Sequence, residues 1–179
     1  MKKFIILLVI MAFSLSGYEV CAQQQNQQTT KQERREERTQ KRAARQLAFE
    51  QHIDSMVNAG YFQFIPRSMQ RSVGPTVPIS NPDFSLEYQE GRFDIYLPYI
   101  EGSMPPYRVS VLNYVTSNVE NYTTQKTDNG WTVTFVSTLF DGSIYTFTLE
   151  IYTKTGGANL TVERAFNTTV QYSGIIFQI

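Results

Sequence analysis

The chain has 179 residues, in which 16 Lys and Arg balance 16 Asp and Glu, with one His and one Cys. This length supports one domain, with at most a helical appendage. A hydrophobic content of 41% and a charged content of 18% predict a packed core rather than a wholly disordered chain. Zero formal net charge argues against a dedicated nucleic-acid binder. The single His and single Cys exclude zinc fingers, disulfide scaffolds and every Cys–His or Ser–His pair that does not use His52.

The N-terminal segment has the pattern of a secretory signal. Two lysines precede ten uncharged apolar residues, Phe4 to Phe13, and this run is shorter than the roughly 20 residues of a membrane span. Val20 and Ala22 occupy the small-residue positions just before a cleavage site. We therefore predict a signal peptide over residues 1–22, a mature chain that begins at Gln23, and a periplasmic or secreted location.

Cys21 leaves one alternative open, a lipoprotein anchored through that cysteine. The lipoprotein peptidase prefers Leu and small residues before its Cys, whereas this chain has Tyr18, Glu19 and Val20 there. Soluble export is therefore the preferred prediction. Cleavage after Ala22 would leave a mature chain without any Cys, and no other stretch is apolar enough to predict a transmembrane segment.

Composition divides the mature chain into three parts. Residues 23–30 are polar and Gln-rich, which predicts a disordered tether. Residues 31–59 favour an N-terminal helix, because they are rich in Glu, Arg, Gln, Lys and Ala without Gly or Pro. Gly60 can end this helix in the left-handed conformation. An apolar stripe at roughly helical spacing predicts that the last three turns dock on the remaining domain: Leu47, Phe49, Ile53, Met56 and Val57.

Charge is distributed unevenly along the chain. Residues 31–71 hold nine Lys and Arg against five acids, whereas residues 72–179 hold five against ten. A solvated helix face is the ordinary interpretation of the basic segment. The alternative is that the helix binds a protein partner or an anionic surface.

Residues 60–179 have the pattern of consecutive strands. Twenty Phe, Tyr and Trp occur after residue 60, together with many Thr and Val, which suit a pleated, half-buried surface. The clearest hairpin joins residues 131–139 to residues 143–153 through Asp141-Gly142. Trp131, Val133, Phe135 and Leu139 are predicted to face inward on its first strand, and Tyr145, Phe147, Leu149 and Ile151 on its second.

Tight-turn dipeptides and alternating apolar residues extend this pattern in both directions. The turns are Glu90-Gly91, Asn129-Gly130 and Gly156-Gly157. The alternating sets upstream are Phe84/Leu86/Tyr88, Phe93/Ile95/Leu97 and Tyr107/Val109/Val111. We therefore predict a mainly β fold, an antiparallel meander that closes into a small barrel, or forms a sandwich, after one N-terminal α-helix.

Several short motifs, in order and spacing, resemble those of the exported Bacteroidetes proteins grouped as domain of unknown function 4251. They are Tyr61-Phe62-Gln63-Phe64-Ile65-Pro66, Leu97-Pro98-Tyr99 with Gly102, Gly157-Ala158-Asn159-Leu160-Thr161-Val162 and Tyr172-Ser173-Gly174-Ile175. The resemblance covers residues 48–179. It implies a lipocalin-like or similar small β-barrel in a Gram-negative envelope. It supplies no functional residues, because the family has no established activity.

Motifs for catalysis are missing from the sequence. It has no nucleophile elbow, phosphate-binding Gly loop, zinc-binding helix or calcium loop. A carboxylate pair for glycoside hydrolysis stays possible on count alone, although acids on the solvent face of a sheet are the ordinary interpretation. The available acids are Glu87, Glu90, Asp94, Glu101, Glu120, Glu150 and Glu163. We predict a protein that is not an enzyme and uses no cofactor or metal.

The inward aromatic rings give the preferred functional prediction, a site for a small apolar, amphipathic or glycan ligand. Arg164 shares a strand face with Leu160 and Val162, so it would either extend outward or hold an anionic group. The predicted ligand contacts are Phe93, Trp131, Phe135, Tyr145, Phe147 and Arg164. An enclosed cavity of roughly 300 Å³ would favour this ligand. A solid interior would favour an envelope protein partner bound by the outer surface and the N-terminal helix.

Overall fold

The structure, a computed structural model, describes residues 2–71, 74–101, 106–139, 142–164 and 169–179, with side chains from residue 31 onward. The chain divides into two compact units, Met1–Leu47 and Ala48–Ile179. The fold is mainly β, as predicted, and the described residues form one helix and ten antiparallel strands in a single sheet.

Helix α1 spans Lys2–Ala59 and ends at Gly60, whose φ of 70° is the predicted left-handed conformation. Ile53, Met56 and Val57 are buried, whereas Leu47 and Phe49 are 57% and 40% exposed. The predicted docking of the last turns is made by the three buried residues and by Phe49, whose ring lies beside Gly156. The signal peptide and the tether stay predictions.

The strands follow the predicted meander, except that β1 lies between β3 and β10 in the middle of the sheet. Their bounds are β1 Tyr61–Arg71, β2 Val77–Pro78, β3 Ser85–Gln89, β4 Arg92–Glu101, β5 Arg108–Thr116, β6 Glu120–Thr127, β7 Gly130–Thr138, β8 Ile144–Tyr152, β9 Gly157–Arg164 and β10 Thr169–Phe177. The order across the sheet is β5-β4-β3-β1-β10-β9-β8-β7-β6, and β2 pairs with β1. Strand β1 therefore joins two meanders, β3–β5 and β6–β10.

The tight turns lie where the sequence places them. Glu90 and Gly91 both have positive φ, at 47° and 86°, in the turn between β3 and β4. Gly130 has a φ of 153° between β6 and β7, and a Cβ there would collide with the carbonyl oxygen of Ile151. Gly142 precedes β8 with a φ of 79°, and Asp141 lies outside the described residues.

Alternation is confirmed in the central hairpin and wrong on β5. Residues 131, 133 and 135 of β7 are buried, as are residues 145, 147, 149 and 151 of β8. On β5, however, Val109 and Val111 are 67% and 46% exposed. Leu97 pairs with Leu112 and Ile95 with Tyr114, so Leu112 and Tyr114 are the β5 residues that share the inward face of β4.

Strands β5 and β6 are the two edges of the sheet. Within the described residues they are not hydrogen-bonded to each other, so closure into a barrel is unconfirmed. The two meanders nevertheless meet through side chains. Tyr122 of β6 stacks on Tyr88 of β3 at 5.2 Å, and Phe93 of β4 stacks on Phe135 of β7 at 3.8 Å. The curled sheet thus encloses an aromatic core without a continuous backbone ladder.

Candidate functional site

Three predicted ligand contacts form one stack in the interior. Phe93 lies 3.8 Å from Phe135, and Phe135 lies 4.7 Å from Phe147, between ring centroids. Each ring is at most 1% exposed. Offset stacking at these distances is how aromatic side chains fill a protein core. The ligand role of these rings is untested, but their contacts are with one another.

Trp131 has a different role, which involves the helix. Its indole Nε1 donates to Asp54 Oδ1 at 2.7 Å, while Lys126 Nζ donates to Asp54 Oδ2 at 2.7 Å. The hydrogen bond from Lys126 is the main cause that lowers the pKa of Asp54, and the bond from Trp131 adds to it. We call these three residues the Asp54 clamp. It connects the end of α1 to strands β6 and β7.

Tyr145 and Arg164 lie beside each other on neighbouring strands. Strand register places Ser137, Tyr145 and Arg164 in one row across β7, β8 and β9. Arg164 Nη2 donates to Ser143 Oγ at 2.7 Å, and its Cζ lies 5.8 Å from the centroid of the Tyr145 ring. We call Ser143, Tyr145 and Arg164 the Arg164 site.

The surroundings of the Arg164 site are rich in buried phenols. Tyr99 contacts the Tyr145 ring edge-on, with centroids 5.6 Å apart. Burial is the main cause that raises the pKa of Tyr99 to about 12, and the nearby guanidinium groups of Arg164 and Arg71 oppose the rise. Burial likewise raises the pKa of Tyr172, whose hydroxyl donates to the Pro98 carbonyl oxygen at 2.7 Å.

Two buried hydroxyls near this row lack a well-formed hydrogen bond. The Ser137 Oγ and Tyr114 Oη atoms are inaccessible to solvent and have no partner of standard geometry. Burial raises the pKa of Tyr114, and the nearby Ser137 hydroxyl opposes that rise. The two groups are therefore close to each other but imperfectly aligned, which is uncommon for buried polar atoms.

An open groove lies beside these hydroxyls, where the ends of β5 and β7 approach. Its volume is about 320 Å³. It is lined by Tyr114, Val115, Thr116, Ser117, Asn118, Thr138 and Leu139. A second groove, of about 250 Å³, runs beside the helix end past Phe49, His52 and Phe177. Neither groove is lined by the stacked phenylalanines.

Among the described carboxylates, Glu87 of β3 and Asp94 of β4 are register partners, and both are partly exposed. None of the described Asp or Glu residues is buried. Glu87 accepts a hydrogen bond from Gln63 at 2.6 Å, and Glu101 accepts one from Ser110 at 3.1 Å. Nor do three or more His, Cys, Asp or Glu side chains of the described residues come together as a metal site. Nothing in this geometry points to a reaction.

Sequence reasoning missed a regular feature of the N-terminal unit. All side chains from Lys31 to Phe49 are exposed. Since each helical residue turns the chain by about 100°, the basic residues of this segment fall within an arc of about 120°. They are Lys31, Arg34, Arg35, Arg38, Lys41, Arg42 and Arg45. We call this set the basic stripe. The three- and four-residue spacing of these residues indicates that they share one helix face, which a count of net charge does not show.

Comparison with known proteins identifies the family. The sequence matches the domain of unknown function DUF4251 over residues 44–176. The chain belongs to this family. The crystal structure of a DUF4251 family protein from Bacteroides eggerthii is similar, with a TM-score of 0.56 and 16% identity.

This similarity covers 74% of the present chain and 91% of the Bacteroides eggerthii chain. At this identity it shows a shared fold, and it confirms the resemblance predicted from the sequence motifs. No curated protein matches the DUF4251 chain. Among its described residues, no helix is long and apolar enough to cross a membrane.

Proposed function

We propose that this DUF4251 protein is an exported, non-catalytic interaction module whose basic stripe binds an acidic surface of an envelope protein. One observation carries the proposal. Seven cationic side chains follow one face of an exposed helix, whereas Glu33 and Glu36 lie on the other side and Glu37 borders the stripe beside Lys41. A linear array of like charges accelerates and orients the binding of a surface of opposite charge.

The helix is suited to this role because it is formed before binding. Its residues have high helix propensity, and Lys41 donates to Glu37 at 2.6 Å on its surface. A partner would therefore not have to supply the free energy that orders the segment. The stripe contains no apolar residue, which favours a surface contact over insertion into a lipid bilayer.

The packed interior also supports binding at the outer surface. The inward rings Phe93, Phe135 and Phe147 contact one another at stacking distances, so they contribute core volume. An interior filled in this way moves the expected binding surface to the outside of the protein. The predicted signal peptide and the tether over residues 23–30 would present the helix in the envelope.

The test is capture of the partner by two matched variants. One variant replaces Arg34, Arg38, Lys41 and Arg45 with Gln, and the control replaces Glu33 and Glu36, on the opposite side of the helix, with Gln. We expect the wild type and the control to retain a cross-linked envelope protein in living cells, and the stripe variant to lose it. Retention by all three chains would refute the role of the stripe. If the stripe variant instead loses binding to anionic phospholipid vesicles to the same extent, the stripe would bind a lipid surface.

Two controls complete the experiment. Mass spectrometry of the exported chain should find Gln23 as its first residue, whereas a lipidated Cys21 would contradict soluble export. Circular dichroism should give the same sheet signal and melting temperature for both variants, because the replaced side chains are exposed.

A further inference from the structure

Two residues of the Arg164 site, Tyr145 and Arg164, are placed by the sheet, and the third, Ser143, lies in the connection just before β8. Ser137, Tyr145 and Arg164 are register partners on three neighbouring strands. Ser143 comes just before β8, and its carbonyl oxygen accepts a hydrogen bond from the Leu139 N–H at 2.9 Å. Sites built on strands hold their side chains more precisely than sites on loops.

The guanidinium group of Arg164 is held in a defined orientation. One edge donates to Ser143 Oγ at 2.7 Å, and one face lies over the Tyr145 ring at 5.8 Å. Tyr145 is itself fixed, because it is 2% exposed and contacts Tyr99 edge-on at 5.6 Å. A guanidinium fork that is oriented before binding loses little freedom when it meets a planar oxyanion.

The positive charge of Arg164 lacks a carboxylate partner within the described part of the chain. Its side chain is half-buried, and none of the described Asp or Glu oxygens lies within 4.0 Å of it. Glu101 raises the pKa of the neighbouring Tyr99, but its carboxylate accepts a hydrogen bond from Ser110. Because partial burial removes part of the hydration of the guanidinium group, a negative group beside Arg164 would be favourable.

Buried hydroxyls beside the row are a second, independent observation. Ser137, the register neighbour of Tyr145, is 1% exposed, and its Oγ makes no hydrogen bond of standard geometry although the Tyr114 hydroxyl lies near it. Tyr114 Oη is in the same condition. Unsatisfied polar atoms of this kind are rare in native interiors and usually have a functional reason.

We propose that Arg164 binds an oxyanion, a carboxylate or phosphoryl group carried by a small molecule. Arg164 makes the contact through its free N–H groups, and Ser143 and Tyr145 act as positioning residues. The Arg164 site and the basic stripe share no residue, so either proposal can fail without the other.

The test is an NMR titration of the mature protein labelled with ¹⁵N. Inorganic phosphate and acetate are added separately at constant ionic strength, and the Arg164 Nε–H resonance is assigned by its loss in Arg164→Lys. We expect a saturable shift of this resonance with phosphate, acetate or both, and the effective anion identifies the group. Arg92, which is exposed on β4, is the control in the same spectrum.

Variants of the positioning residues sharpen the result. Ser143→Ala should weaken anion binding about tenfold, because the guanidinium loses its charge-assisted hydrogen bond. Glu163→Gln, next to Arg164 but exposed, should leave the affinity unchanged. A shift that never saturates, or that is equal at Arg92, would overturn the proposal.

Discussion

The two edges of the sheet differ in how they are protected. Strand β6 is polar along its length and carries a bulge between Glu120 and Thr123, with Asn121 at a φ of 53°. The Asp54 clamp also ties it to the helix through Lys126. Strand β5 pairs with β4 without a register shift and exposes Val109, Val111 and Val115.

This difference identifies the edge on which another chain could pair. Bulges and charges are usual protection of an edge strand, and β6 has both, together with one ion pair from Lys126 to the helix end. A regular strand with outward β-branched residues is the kind of edge to which an extended segment adds. The helix end therefore stabilises one edge of the sheet, and its contacts leave the other edge to solvent.

The largest expected effect on stability comes from deleting one aromatic side chain beside each edge strand, Trp131 beside β6 and Tyr107 beside β5. Trp131→Ala should lower the free energy of unfolding by about 3–5 kcal/mol, because it removes a buried ring and leaves Asp54 without its indole donor. Tyr107→Ala, next to β5, should cost less than about 1 kcal/mol, because Tyr107 is 46% exposed and its main recorded contact is with Arg71. Urea unfolding monitored by far-UV circular dichroism measures both. Equal losses would contradict the comparison.

Removal of the clamp carboxylate should have a smaller effect. Asp54→Ala leaves the Trp131 N–H without its acceptor in a partly buried position, so we expect a loss of about 1–3 kcal/mol. Asp54→Asn retains an acceptor for Trp131 but loses the charge that Lys126 contacts, and should cost less. Exposed Asp128→Ala is the control. A larger loss for Asn than for Ala would disprove this assignment of the bonds.

Acid should abolish the charge-dependent part of the clamp. The pKa of Asp54 is lowered in the folded protein, chiefly by the hydrogen bond from Lys126. Its contribution is therefore complete above the unfolded pKa of about 3.9 and declines as the pH falls through the lower folded value. The stability difference between the wild type and Asp54→Asn should be constant near neutral pH and shrink below about pH 4. A stability difference that grows in acid would contradict a lowered pKa of Asp54 in the folded protein.

The smallest effect on folding is expected at the exposed edge. Val111→Lys should change the free energy of unfolding by less than about 0.5 kcal/mol, because Val111 is 46% exposed. Leu112→Ala, its buried neighbour, should cost about 2–5 kcal/mol and serves as the control. If the edge of β5 pairs with an extended segment of another chain, Val111→Lys should weaken the association of the two chains in analytical ultracentrifugation. Unchanged association would contradict pairing at this edge.

Local patterns in the sequence were sufficient for the individual elements. The alternation around Phe135 and Phe147 predicts two strands, and Gly60, Gly91 and Gly130 mark turns that need positive φ. These features depend on the geometry of a few consecutive residues. The shared strand face of Leu160, Val162 and Arg164 was also readable, since a strand alternates with a period of two.

Contacts between distant residues were decided only by the tertiary structure. Asp54 meets Trp131 across 77 residues of sequence, and Ser143 meets Arg164 across 21. The inward face of β5 could not be assigned from its valines, because the register with β4 gives that face to Leu112 and Tyr114. Short-range periodicity follows from the backbone geometry of each segment, whereas strand order, register and unclosed edges follow from how all segments share one core.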